Sequence, residues 1–257
     1  AFWAHSGIMG TIGEAGCPPT MQRPGMGDHI TSIAGLAGVL AALYERERSG
    51  KGQLVDCSLA GTAPWVLSLD ISATLLTRRG LPKGSRKEVG NPLFNCYQAA
   101  DGRWIQVVMI QSELYWAPFC RALGREDLLR DERFQTHQDR WRYNKELIGI
   151  LDETFATRTM EEWAKALDAE GVIWAPVHTL DEVIEDPQLR ANDAFFPLHH
   201  PNLGAYEVVG IPMKFGRTPA KPQGPAPELG QHTEEVLLEA GYSWEEIAQL
   251  KDGGVIT

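Results

Sequence analysis

From Gly27 to Leu59 the chain reads Gly-Asp-His-Ile-Thr-Ser-Ile-Ala-Gly-Leu-Ala-Gly-Val-Leu-Ala-Ala-Leu-Tyr-Glu-Arg-Glu-Arg-Ser-Gly-Lys-Gly-Gln-Leu-Val-Asp-Cys-Ser-Leu, and this stretch decides the fold class. A polar start (Asp28, His29, Thr31) leads into an apolar run rich in small residues. The run ends in Tyr44-Glu45-Arg46-Glu47-Arg48 and stops at Ser49-Gly50. The pattern predicts a largely buried helix, capped by Asp28 and terminated by glycine. Ser49-Gly50-Lys51-Gly52 then turns the chain into a short strand expected at 54–58, and a second helix is expected from Leu59 to Arg78. Helix, turn, strand, helix is an α/β signature.

Working outward, a Gly/Pro-rich loop (Gly7 to Gly27) precedes this unit. Gly80 to Pro92 follows it without periodicity and with three basic residues, so it reads as an exposed loop or hinge. Two apolar runs around Asp101-Gly102 predict a β-hairpin. Helices are expected at Ser112–Leu123 (stopped by Gly124), at roughly Trp141–Thr157 with Leu147, Ile148, Leu151 and Phe155 on one face, and at Thr159–Glu170. In the last, Thr159 and Glu162 form a capping box. A short helix from Thr179 should end at Pro187. Strands are expected from about Phe195 (Tyr206–Val209, Met213–Phe215), then a Pro-rich crossing and a helical tail at Thr233–Ala240 and Trp244–Leu250.

Composition narrows the function classes. The chain has 257 residues, is 43% hydrophobic, and carries 34 acidic against 24 basic residues for a net charge of −10. It can bury a large core, and its charge opposes a nucleic-acid backbone. Ser, Thr, His or charged residues interrupt every apolar run before the roughly 18 residues of a membrane span, so none is expected. Cys17, Cys57, Cys96 and Cys120 are widely spaced, which suits reduced thiols in a cytoplasm. The glycines at 7, 10, 13 and 16 match no phosphate-loop pattern, and His199-His200 or His232 with Glu235 form no closed ligand set, so no metal is expected. His5-Ser6 lacks the nucleophile-elbow context. Trp65, Trp163 and Trp174 sit in apolar sequence and are expected in the core.

Ala42-Leu43, Arg46, Gly50-Lys51-Gly52-Gln53 and Val55-Asp56-Cys57-Ser58-Leu59 together closely resemble the signature of the family III CoA-transferases. This superfamily includes formyl-CoA transferase, crotonobetainyl-CoA transferase and 2-methylacyl-CoA racemase. Later landmarks agree in order: Tyr97-Gln98-Ala99-Ala100-Asp101-Gly102-Arg103-Trp104, Glu162-Trp163, Ala175-Pro176-Val177, Asp186-Pro187-Gln188-Leu189, and Pro227, Leu229-Gly230, His232-Thr233. The likeness therefore covers the whole chain, as the carboxy-terminal part of a family member.

The resemblance implies an α/β fold with a Rossmann-like large domain, part of which would lie ahead of Ala1, and a smaller α+β domain. Residues 1–79 would belong to the large CoA-binding domain, 80–92 to a hinge, 93–195 to the small domain, and 196–257 to a segment returning to the large domain. It implies a CoA-transferase that uses acyl-CoA and a small carboxylic acid, needs no tightly bound cofactor, and works as an interlocked homodimer without nucleic-acid or membrane partners. The nucleophilic aspartate would lie just before Ala1, leaving this stretch inert alone. Phe2, Trp3, His5, Ser6 and Gly7 would wall the CoA pocket, with Asp28, His29 and Ile33 facing the thioester. Gly80, Gly84 and Gly90 are the lid candidates, although the family's glycine run is here scattered among Lys and Arg. Two alternatives stand beside the transferase. A racemase would need a glutamate where the alignment places Gln111, and a glutamine cannot act as a base. A non-catalytic subunit of a heteromeric transferase would lack the nucleophile altogether.

Overall fold

The first 79 residues fold into helices and loops alone. In the computed structural model, which describes residues 1–256, α1 (Phe2–His5) and α2 (Ile8–Thr11) are single turns. A Gly/Pro-rich loop leads from them to the 24-residue α3 (Met26–Ser49). Its carboxy-terminal end is the expected glycine stop: Gly50 is left-handed and its N–H reaches the Arg46 carbonyl at 2.8 Å. Its start differs from expectation. The left-handed turn at Gly25 (φ +84°) redirects the chain first, so the helix begins at Met26 and Asp28 is its third residue, making no cap hydrogen bond. The Asp28 carboxylate meets the helix dipole there and does not satisfy an orphan donor.

The strand expected at 54–58 does not form. Among the described residues no neighbour completes a ladder, and the main chain of Gly52–Cys57 makes no hydrogen bond. The segment instead runs along the glycine-bearing side of α3. A Cβ on Gly38 would lie 2.9 Å from Val55 Cγ1, and Cys57 Sγ sits 3.8 Å from the Thr31 carbonyl. Ser58 then caps α4 (Leu59–Val66) by accepting the Gly61 N–H at 3.0 Å. The single helix expected as far as Arg78 is two, with α5 (Ser68–Thr77) bent 75° from α4. Pro64 within α4 lacks the N–H that would hold the last turns together.

By length and composition α3 is apolar enough to cross a membrane, contrary to the expectation of no such stretch. Its charges cluster at the ends, and the scattered Thr and Ser barely lower the mean. The same composition suits a helix covered on all sides by protein. Here it is largely exposed, with Ile33, Leu36, Val39, Leu40 and Leu43 all facing solvent, and so is Trp65 of α4, which was expected in the core.

The hairpin forms as expected. β1 (Phe94–Gln98) and β2 (Trp104–Val108) pair antiparallel from Phe94 opposite Val108 to Gln98 opposite Trp104. α6 (Ser112–Leu123) ends at left-handed Gly124. The helix expected from Trp141 to Thr157 is split at Tyr143 into α7 (His137–Arg142) and α8 (Asn144–Phe155), because a capping box at Thr136 and Asp139 starts it early. α9 (Met160–Ala169) carries the predicted box, and β3 (Trp174–Pro176) pairs antiparallel with β2. These elements enclose one core. Tyr97 stacks on Phe155 at 4.9 Å, Trp163 packs on Phe155 at 5.0 Å, and the Trp163 indole donates to the Phe155 carbonyl at 2.8 Å. Burial pushes the Tyr97 phenol well above its ordinary range, and its hydroxyl donates to the Pro92 carbonyl.

A second unit begins at His178. It holds α10 (Leu180–Glu185), α11 (Pro187–Ala191), the antiparallel pair β4 (Phe195–His200) and β5 (Gly204–Val209), α12 (Thr233–Glu239) and α13 (Trp244–Asp252). Pro187 ends α10 and also opens α11 at the position where its missing N–H costs nothing. Met213–Phe215, expected as a strand, is irregular; β4 takes the pairing with β5. The architecture is mixed α/β, and all strand pairs among the described residues are antiparallel.

Removing the indole at the centre of the hairpin core should be severe. Trp163→Ala is expected to cost about 3–5 kcal/mol, whereas Thr159→Ala should cost about 1 kcal/mol through its cap alone. Equilibrium urea unfolding of both variants checks the ratio.

Candidate functional site

The start of α3 is the most chemically distinctive place in the first unit. With glycine at 25 and no side-chain cap, the N–H groups of Met26, Gly27 and Asp28 meet no acceptor among the described residues. Such a helix start attracts anions. It opens into a cavity of about 360 Å³ walled by Phe2, Trp3, Met9 and Met21, with Arg23, Asp28 and Leu59 around it. The Arg23 guanidinium makes no ion pair or hydrogen bond among the described residues. The cavity thus combines apolar walls, one uncommitted cation and unsatisfied main-chain donors. That set can hold the oxygens of a carboxylate or thioester against an apolar tail.

Close packing keeps this geometry. Phe2 lies directly on Gly27, where a Cβ would fall 2.6 Å from Phe2 Cγ, and Phe2 meets Trp3 edge-on at 5.0 Å. The small residue at 27 lets the aromatic wall sit on the helix's first turn.

The sequence-derived candidates divide over this region. Phe2, Trp3 and Asp28 line the cavity. His29 and Ile33 lie on another face of α3, in a groove of about 1000 Å³ between α3 and α4 that also takes in Ile30, Asp56, Cys57, Thr62 and Trp65. His5, Ser6 and Gly7 line neither space. Ser6 is buried and bonded to the Trp3 carbonyl and the Ile8 N–H, and Gly7 supplies the left-handed start of α2. Of the lid candidates, Gly84 accepts the Ala15 N–H at 2.9 Å, Gly90 packs against Trp141, and a Cβ on Gly80 would enter open space. Arg23 was missed from sequence. Its signal was the only basic residue in the loop just ahead of the Gly25 turn. Among the described residues no group of three or more His, Cys, Asp or Glu is placed to hold a metal ion.

Comparison with known proteins places this geometry in context. The family model for CoA-transferase family III matches residues 1–233. The chain is 32% identical to the (R)-2-hydroxy-4-methylpentanoate CoA-transferase of Clostridioides difficile, over 100% of this chain and 64% of that protein. It is also 32% identical to the cinnamoyl-CoA:phenyllactate CoA-transferase of Clostridium sporogenes, over 98% of this chain and 61% of that one. The chain therefore spans less than two thirds of the relatives it matches. In fold it resembles a CaiB/BaiF family protein from Brucella suis, with a TM-score of 0.80 and 22% identity over 93% of this chain and 61% of that chain.

The Phe2–Gly27 contact gives a direct test. Gly27→Ala adds a better helix former, worth about 1 kcal/mol by propensity alone, yet its methyl would displace the Phe2 ring. Net destabilisation with a changed Trp3 fluorescence spectrum is expected; a stabilised variant with an unaltered spectrum would contradict the packing.

Proposed function

Because the chain belongs to CoA-transferase family III, we propose that it is part of an enzyme moving CoA from an acyl-CoA donor to an organic-acid acceptor. The observation that carries this beyond the family is the cavity at the start of α3, which offers apolar walls beside free N–H groups and Arg23. Here Asp28 is the cavity's carboxylate, but its place in the first turn suits a dipole partner, and the nucleophile is an aspartate outside these 257 residues.

The chemistry runs in balanced steps. The aspartate carboxylate attacks the donor thioester carbonyl and expels CoA thiolate, leaving a mixed anhydride. The thiolate returns to the aspartyl carbonyl and releases the donor acid as its carboxylate. The acceptor carboxylate attacks the resulting aspartyl-CoA thioester, and the thiolate finally takes the acceptor acyl group, restoring the aspartate. Each addition places negative charge on a former carbonyl oxygen. The α3 N–H groups and Arg23 stabilise such charge, and Phe2, Trp3 and Met21 keep water from the anhydride.

The apolar walls favour an acyl group larger than formyl. The two transferases compared above are named for branched and aromatic hydroxy acids, which supports the same direction. In the intact protein the bare faces of α3, α4 and α5 are covered by the rest of a Rossmann-like large domain and by a second copy in an interlocked homodimer. The exposed area supports this: the chain exposes 17850 Å², whereas two separate compact globules of the sizes of its two units would expose roughly 13,000 Å².

Two measurements test the reading. Full-length enzyme incubated with a branched or aromatic acyl-CoA and hydroxylamine should yield a hydroxamate on one aspartate by mass spectrometry, and Arg23→Ala should raise the acyl-CoA KM roughly tenfold. Turnover confined to formyl-CoA and oxalate would contradict the substrate class. Light scattering should give a dimer at all working concentrations, as expected for an interface above roughly 2,000 Å²; a stable monomer would refute it.

A further inference from the structure

Loop 12–25 carries the Met21, Gln22 and Arg23 wall of the cavity, yet residues 19–24 make no main-chain hydrogen bond among the described residues. What holds the loop comes from one direction. The Ala15 N–H donates to the Gly84 carbonyl at 2.9 Å, and Lys83 Nζ donates to the Cys17 and Pro18 carbonyls at 3.3 and 3.1 Å. The Glu14 carboxylate accepts the Ser85 hydroxyl with one oxygen and the Arg86 N–H at 3.1 Å with the other.

That anchor is itself fixed. Ser85 caps the short 3-10 turn Arg86–Glu88. The Arg86 guanidinium donates to both Asp152 carboxylate oxygens on α8 at 2.8 Å and to the Cys96 carbonyl on β1 at 3.2 Å. Asn95 of β1 donates back to the Arg86 carbonyl at 3.0 Å. The hinge segment is therefore tied to the hairpin core, and Glu14 ties the loop to the hinge.

The loop passes this anchor on to the cavity by contact. At Gly13, beside Glu14, the backbone is left-handed (φ +93°) and a Cβ would fall 2.3 Å from Thr20 Oγ1. The two limbs of the loop touch there, and the residue after Thr20 is Met21 of the cavity wall. We propose that Glu14 is a positioning residue: by tethering the loop to Ser85 and Arg86 it fixes Met21–Arg23 in the acyl-CoA cavity and couples that cavity to the hairpin domain. This rests on the reading of the cavity given above. The Ser85 hydroxyl and then the Arg86 N–H hold the Glu14 carboxyl below the usual carboxylate range, consistent with a committed acceptor.

The test uses the intact enzyme and four variants. Glu14→Ala and Ser85→Ala loosen the tether, and Glu14→Gln keeps an acceptor for the Arg86 N–H. Asn144→Ala removes the bonds to the Glu88 and Val89 carbonyls, weakening the hinge without touching the loop. Glu14→Ala is expected to speed amide exchange across 12–25 and to raise the acyl-CoA KM roughly tenfold with kcat changed less than about threefold. Glu14→Gln should fall between it and the parent, while Asn144→Ala should lower Tm and leave KM unchanged. Unchanged exchange and KM in Glu14→Ala would overturn the proposal, as would an equal KM rise in Asn144→Ala. If Glu14→Ala fails to fold, Glu14→Gln and Ser85→Ala carry the same comparison. A parent enzyme that transfers CoA from no acyl-CoA would remove the reading of the cavity, and the role in catalysis with it; the exchange data would still decide the tether.

Discussion

Apolar surface must be removed from water, and the two halves of the first unit meet that constraint differently. The hairpin half closes on itself around Tyr97, Phe155 and Trp163, all fully buried. The half built on α3, α4 and α5 does not, and leaves Leu54 at 92%, Leu69 at 81% and Leu76 at 85% exposure. At roughly 25 cal/mol for each Å² of apolar surface, side chains of this size are worth about 2 kcal/mol apiece when covered. The helical half therefore carries apolar surface that the described residues leave uncovered, and other features accompany it. Glycines on α3 let neighbouring segments approach, Gln53–Cys57 has main-chain groups free for pairing, and α3 is apolar around most of its girth.

How far the sequence revealed the structure depends on where each element finds its partners. Ser112–Leu123 was legible to the residue because its stop signal, Gly124, is local. The box at Thr159 and Glu162 was equally legible, since both groups lie within one turn. The strand at 54–58 was not, because alternation predicts which side would be buried while a ladder needs a neighbouring strand, and none lies beside it among the described residues. Trp65 failed for the same reason: its apolar sequence surroundings read as core, but the groove it borders has no cover. The splits at Leu67 and Tyr143 were missed because a helical period runs through both, and only Pro64 and the Thr136 box betray them.

The site shows a similar division. Phe2, Trp3 and Asp28 were found through a family motif and do share a cavity, whereas His29 and Ile33, read from the same motif, point to another face of the helix. At about 100° per residue, neighbours such as Asp28 and His29 cannot both face one space, so contiguity in a motif does not imply convergence in a helix. Arg23 and Glu14 escaped because their importance is relational. One is notable for having no partner among the described residues, and the other for partners that lie 71 and 72 residues away.

The cavity wall is also where the two halves of the first unit are joined. The proposed acyl transfer would have to admit two different acids in turn while excluding water from an anhydride, which asks for a pocket wall held firmly in place. A wall made from regular structure would be firm but isolated. Here it is a glycine-shaped loop with little internal bonding, braced by a segment that is itself braced by the hairpin core. Through Asp152, Arg86 and Glu14 the hairpin half is thus linked by hydrogen bonds to the loop on which Arg23 stands. The cation thus stands on the braced loop, while the free N–H groups beside it belong to α3 itself.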